Sequence, residues 1–208
     1  MAKYRQTYEN SCGAAALLCA ATELGITQIP RAGRWSFLEA STPLVGNTGE
    51  VSQALLGWRG DYFVNGLVEG GQRVEAALYA VTSGDLKGYS VPSRVAGCAR
   101  QLGLTIRIYL GPGPASAALL LAYPNERAAC ADQGVAIHET ASPGATEKER
   151  ELVVLQVGLG LHYVMRRPPN CGFDTYMDPA NGKDYTDFDA LKGNGKYVDT
   201  GVSLMVSN

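Results

Sequence analysis

Apolar residues crowd positions 14–21, where Ala14, Ala15, Ala16, Leu17, Leu18, Cys19, Ala20 and Ala21 follow one another without a polar break. Asn10 and Ser11 precede this run and Gly25 follows it. An N-cap and a glycine just past the end predict a helix over 12–24. A helix that is apolar on nearly every side belongs inside a protein rather than on its surface. Residues 67–81 suggest another helix, weakened at its start by Gly70 and Gly71, and residues 90–102 a further one that closes on Gly103. Residues 104–110 (LTIRIYL) alternate as a strand does, and Gly111-Pro112-Gly113-Pro114 breaks the chain behind them. A helix is expected from 116 toward 131, then a short strand over 135–138 and an exposed loop over 141–149.

The last third changes character. Residues 152–157 (LVVLQV), 161–166 (LHYVMR) and 173–177 (FDTYM) are short, rich in β-branched and aromatic side chains, and separated by Gly or Pro. That is the pattern of an antiparallel meander. Residues 178–182 (DPANG) read as a turn and 202–206 (VSLMV) as a closing strand. Helices first and antiparallel strands later predict an α+β fold. No linker shows itself, so 1–208 reads as one domain, with a helical half over about 1–103 and a β-rich half over about 104–208.

Composition narrows the function. Of 208 residues 46% are apolar and 18% charged, which suits a chain with a buried core and not a disordered one. Lys plus Arg number 18 against 20 Asp plus Glu, a formal charge of −2 that argues against a nucleic-acid partner. The apolar runs are too short to span a bilayer. The polar opening Met1-Ala2-Lys3-Tyr4-Arg5-Gln6 shows no cleavable secretion signal. The expectation is a cytoplasmic protein, or one exported without such a signal, of unspecified oligomeric state.

Five cysteines, Cys12, Cys19, Cys98, Cys130 and Cys171, make an odd number with no C-x-x-C pair. Neither a disulfide framework nor a zinc cluster follows from that spacing. His138 and His162 are the only histidines, so a His-rich metal cage is excluded and no metal or cofactor is expected.

One cysteine is placed to react. A thiolate is the attacking species, and the unpaired N–H groups at a helix start favour negative charge. Cys12 falls in the first turn of the expected central helix, whereas Cys19 lies two turns further in. The oxyanion formed on attack needs donors: the Cys12 N–H is at hand, and the Gln6 amide can return to the same point. Gly13 is expected to let a substrate approach without a side chain in the way. His162 supplies a base from a strand, and Asp178, at the end of the next strand, can meet it across an antiparallel pair. The expected contact is from His162 Nδ1–H to the Asp178 carboxylate.

These residues resemble a family. Residues 6–18 (QTYENSCGAAALL), with glutamine six places before a Cys-Gly helix start, look like the active-site opening of papain-like cysteine peptidases. They are closest to the bacterial branch related to the peptidase domains that process double-glycine leader peptides of bacteriocins. Residues 89–104 (YSVPSRVAGCARQLGL) are similar to that branch's helix ending in Leu-Gly-Leu. His162-Tyr163-Val164, with Met177-Asp178-Pro179-Ala180-Asn181-Gly182 behind it, is similar to its histidine strand and its DP-x-x-G turn. The resemblance implies a buried central helix carrying the nucleophile, packed against an antiparallel sheet carrying His and Asp. It implies Cys12 as nucleophile, His162 as general base then acid, Asp178 as orienter and Gln6 as oxyanion donor, acting on a protein or peptide substrate. It covers about half the chain; residues 29–74 and 112–151 match nothing in the branch, and no membrane or nucleotide-binding part accompanies them.

Other readings stay open. The same triad serves glutamine or asparagine deamidases and acyl transferases, as in bacterial effectors, and an inactive papain-like module would bind peptides only. A non-enzymatic interaction protein would hold Cys12 as core. Individually, Gln6 reads also as a solvated residue, His162 as a core histidine and Asp178 as a cap of the Pro179 turn, with Asp174, Asn181 and Asp184 as substitutes. His138 reads as a surface residue, Cys98, Cys130 and Cys171 as packing or surface thiols, and Trp35 and Trp58 as core or groove walls.

Overall fold

The computed structural model describes residues 1–26, 54–55, 67–68, 75, 78–79, 82, 90–170, 173–193 and 195–208. The chain begins with α1 (Cys12–Glu23), a short pair β1 (Ala54–Leu55) and β2 (Leu67–Val68), then α2 (Pro92–Gln101) and β3 (Thr105–Leu110). It continues through α3 (Pro114–Ala122), α4 (Glu126–Asp132) and β4 (Ala136–His138). The last third holds β5 (Glu149–Val157), β6 (Gly160–Asn170), β7 (Phe173–Asp178), β8 (Lys183–Tyr185), α5 (Phe188–Lys192) and β9 (Val198–Ser207). The architecture is α+β, as the order of elements predicts.

Seven strands form one sheet in the order β4-β3-β9-β5-β6-β7-β8. β5 to β7 are the expected meander, and β8, not expected from the sequence, pairs onto its end. β9 contains the expected closing strand and inserts between β3 and β5, antiparallel to both. β4 lies parallel to β3, and α3 and α4 supply the crossover that a parallel pair requires.

Two local expectations are corrected. The helix expected from 116 toward 131 is two helices, broken at Tyr123-Pro124-Asn125. Pro124 has no N–H, its ring collides with the carbonyl one turn back, and it pushes the preceding residue out of the helical region. Tyr123 accordingly sits at φ −126°, ψ 66°. In 67–81, Leu67 and Val68 are strand, paired with Leu55 and Ala54, and helix is found at Glu75, Leu78 and Tyr79 and also at Thr82. The rest of that stretch lies outside the described residues.

α1 is as buried as its composition demands, with every residue from Cys12 to Ala21 inside. Leu17 and Leu18 are wholly covered, each side chain contributing on the order of 2 kcal/mol. They share a core with Leu152, Val154, Tyr163, Met165, Met177 and Leu204 of the sheet. The helix ends on a buried ion cluster. Glu23 receives Arg150 Nε at 2.6 Å and Arg167 Nε at 2.8 Å, and Arg167 also reaches Asp184 at 2.8 Å and the Ala2 carbonyl at 2.8 Å. Among the described residues no helix is long and apolar enough to cross a membrane.

Candidate active site

α1 lies alongside β6, so that its last residue, Glu23, meets Arg167 while its first, Cys12, meets His162. Ser11 occupies the N-cap position but makes no side-chain cap; its hydroxyl turns instead to the Tyr8 carbonyl at 2.9 Å and to Glu75. The Cys12 N–H is one of those that a helix start leaves without an intrahelical acceptor.

His162 is 8% exposed. Its Nε2 lies 2.7 Å from Asp178 Oδ1, and the Cys12 thiol lies close enough to its ring to raise the His162 pKa. The ring nitrogen assignment is therefore the reverse of the expected one: Nε2, not Nδ1, faces the carboxylate. The sheet register explains the meeting. Met165 pairs with Met177, so one step further Asp178 lies opposite Val164, diagonal to His162 on the same face.

Asp178 is 1% exposed and its carboxylate is fully engaged. Oδ1 accepts from the Ala180 N–H at 2.8 Å as well as facing His162, and Oδ2 accepts from the Tyr197 hydroxyl at 2.9 Å. Capping the Pro179 turn and facing the histidine are thus one arrangement. Tyr197 also stacks on His162, with ring centres 5.3 Å apart and planes 7° apart.

The electrostatics favour an imidazolium. Burial alone pulls the His162 pKa down, but the hydrogen bonds from Asp178 and Cys12 and the charges of both outweigh it and raise the value from 6.5 to about 9. Burial acts on Asp178 in the opposite sense, and is likewise outweighed, by the hydrogen bond and charge of His162 and then by Ala180 and Tyr197. The carboxyl pKa is lowered.

Gln6 is held beside this group by its backbone, whose N–H donates to the Pro179 carbonyl at 2.8 Å. Gly182, at φ +69°, lets Arg5 lie on the same turn: a Cβ there would sit 3.1 Å from the Arg5 backbone nitrogen. The Gln6 amide nitrogen donates to the carbonyls of Tyr8 and Glu9, both at 2.9 Å, while its buried Oε1 has no hydrogen-bond partner among the described residues.

The whole chain carries the relationship that this geometry suggests. From residue 4 to residue 208 it matches a family described as Invasion plasmid antigen J, cysteine protease. The chain belongs to that family. The cysteine protease IpaJ of Shigella flexneri is 28% identical to it over 227 residues, a span of 98% of this chain and 77% of the relative. The chain is accordingly a thiol-dependent peptidase.

Other residues of this IpaJ-family protease fall into place around the site. Gly13 does not clear a path for substrate: a Cβ there would lie 2.6 Å from Ser90 Cβ and 3.3 Å from Tyr163, so its missing side chain admits the loop before α2. Cys19 and Cys98 are wholly buried, with thiol pKa values pushed up by burial, and burial likewise raises Cys130 to about 12. They are packing thiols. His138 is exposed and stacks on Tyr109 at 4.9 Å, far from any orienter role. Asn181 reaches the Tyr185 hydroxyl at 2.8 Å and Asp184 pairs with Lys3 and Arg167. The side chain of Asp174, along with Cys171, Trp35 and Trp58, lies outside the described residues.

Beside His162, its neighbours Leu161 and Tyr163 help line an apolar cavity together with Ile108, Leu119, Tyr123 and Val154. The sequence reading missed two partners of the site, Tyr197 and Glu75. No motif surrounds either one, and both reach the site only through long-range folding.

Proposed function

We propose that the peptidase works through a Cys12–His162–Asp178 triad and a thioester acyl-enzyme. The observation that carries this is the single imidazole bridging a thiol at a helix start and a buried carboxylate. His162 takes the proton of the Cys12 thiol, so that the attacking species is the thiolate. Cys12 Sγ attacks the scissile carbonyl carbon, and the oxyanion is held by the Cys12 N–H and the Gln6 amide. His162 Nδ1 then protonates the leaving amine, and the C–N bond breaks to leave the thioester. Water enters, His162 takes its proton, and the acid is released. Asp178 keeps Nε2–H engaged throughout, which holds the ring toward the thiol.

Gln6 must move to serve. Both of its N–H groups are spent on loop carbonyls while its oxygen has no partner among the described residues, so the present pose carries an unsatisfied acceptor worth about 1–3 kcal/mol that favours leaving it. The papain-like assignment, including kinship with the double-glycine leader peptidases, rests on the order Gln6, Cys12, His162, Asp178 and is part of this proposal. So are a single domain over 1–208, a protein or peptide substrate with an apolar group near the scissile bond, and action in the cytoplasm or as an exported effector.

The test is mass spectrometry of peptide mixtures and candidate target proteins treated with the parent, Cys12→Ala and His162→Ala. Cleaved fragments with the parent alone support the proposal. An unbroken chain that gains the small mass of amide-to-acid conversion assigns deamidation to the same triad, an unbroken chain joined to an added amine assigns acyl transfer, and binding without any product assigns a peptide-binding module.

A further inference from the structure

Glu75 stands outside the triad and is 0% exposed. Its hydrogen bonds reach the segment that precedes α1. The Tyr4 hydroxyl donates to Oε2 at 2.7 Å, the Thr7 N–H lies 2.8 Å from Oε1 and 3.1 Å from Oε2, and the Ser11 hydroxyl meets Oε1. These three residues span the arch 4–11, which has no helix or strand of its own. The arch carries Gln6 and ends at Cys12. Burying a carboxyl is costly unless its hydrogen bonds are made, so a group in this place that served packing alone would be better replaced by an apolar one.

The proton count is informative. Ser11 has one hydroxyl proton, yet its Oγ lies within hydrogen-bond distance of two acceptors, the Tyr8 carbonyl and Glu75 Oε1. Both contacts are satisfied when Glu75 is the neutral acid: Oε1–H donates to Ser11 Oγ, and Ser11 donates to Tyr8. Burial raises the Glu75 pKa against the opposing pull of Ser11, Tyr4 and Thr7, in the same direction.

We infer that Glu75 is a positioning residue for the nucleophile, clamping the arch 4–11 so that Cys12 meets His162 and Gln6 stays beside them. The inference rests on Cys12 being the nucleophile. Glutamine can keep an N–H donor toward Ser11 and an acceptor oxygen for Tyr4 and the Thr7 N–H; alanine keeps neither. Glu75→Gln is expected to retain kcat within about threefold, whereas Glu75→Ala lowers kcat on the order of 100-fold with little change in KM, the cost of a misplaced reacting group.

The experiment measures kcat and KM with a peptide that the parent cleaves, together with the iodoacetamide labelling rate of Cys12 and a circular dichroism melt. Cys12 labelling is expected to slow in Glu75→Ala in step with kcat and to recover in Glu75→Gln. A folded Glu75→Ala protein with parental kcat and labelling overturns the clamp, and so does Glu75→Gln failing as badly as alanine. If Glu75→Ala does not fold, Tyr4→Phe and Ser11→Ala each remove one contact; lowered kcat in both supports the clamp and parental kcat in both overturns it. Cys12→Ala run alongside separates the two levels: if it still cleaves, the triad itself falls, whereas if it is dead and the Glu75 variants are normal, only the clamp does.

Discussion

Replacing Asp178 with alanine removes the 2.7 Å partner of His162 Nε2 together with its charge. His162 stands at about 9 against an ordinary 6.5, a preference for imidazolium of about 3 kcal/mol at about 1.4 kcal/mol per unit of pKa. Burial opposes that preference, and the Asp178 hydrogen bond is the largest contribution in its favour, ahead of the Cys12 hydrogen bond and charge and the charge of Asp178. Losing most of it costs on the order of 100-fold in kcat/KM. Asp178→Asn keeps an oxygen for Nε2–H and loses only the charge, so it is expected to fall by about tenfold. The assay is kcat/KM across about pH 5 to 10 with a fluorogenic peptide, where the parent's alkaline limb reports His162. That limb is expected near pH 9 in the parent and well below it in Asp178→Ala. Melting curves accompany the assay, because Tyr197 and the Ala180 N–H lose their acceptor, at about 1–3 kcal/mol. A folded Asp178→Ala protein within threefold of the parent, its limb unmoved, would refute the reasoning.

Further outcomes follow from the same geometry. Gln6→Ala is expected to lower kcat by about 10²–10³, as loss of one oxyanion donor does; an unchanged kcat shows that the amide stays on Tyr8 and Glu9. Gly13→Ala forces a Cβ against Ser90 and is expected to cost about 1–3 kcal/mol by chemical denaturation, recovered in the double variant with Ser90→Gly. Arg167→Ala leaves Glu23 and Asp184 short of a partner and is expected to cost about 3 kcal/mol, read the same way. Stability should also depend on pH through the pair. The raised His162 contributes fully below pH 6.5 and loses its contribution as pH climbs through about 9. The lowered Asp178 contributes above the ordinary carboxylate range and loses its contribution as pH falls through its folded value. Calorimetric Tm is therefore expected to decline on both sides, with a flatter alkaline slope in Asp178→Ala.

Much of this was legible locally. An all-round apolar run between Asn10-Ser11 and Gly25 could hardly be anything but a buried helix, and its first residue is a cysteine wherever the helix goes. The strands of β5, β6 and β7 announce themselves through β-branched and aromatic residues set off by Gly and Pro. What was not legible was long-range or too fine. Residues 202–206 read as a strand, but not as one lying between β3 and β5, because pairing partners leave no local mark. Pro124 did have a signal, and the Ala-rich flanks masked it. Gly13 was credited to the substrate when Ser90, far along the chain, claims the space. Which ring nitrogen of His162 faces Asp178 depends on how the β6–β7 register aims the imidazole, and Tyr197 and Glu75 join the site from distant segments with no motif around them.

The central claim is that the Cys12 thiol and the His162 imidazole act as one pair. Competitive labelling tests it most directly: limiting iodoacetamide at neutral pH on the folded protein, followed by peptide mapping of all five cysteines. Cys12 is predicted to take the label first by a wide margin, and His162→Ala to erase that lead without exposing Cys19 or Cys98. Labelling of Cys12 at the same rate with and without the His162 ring would contradict the account.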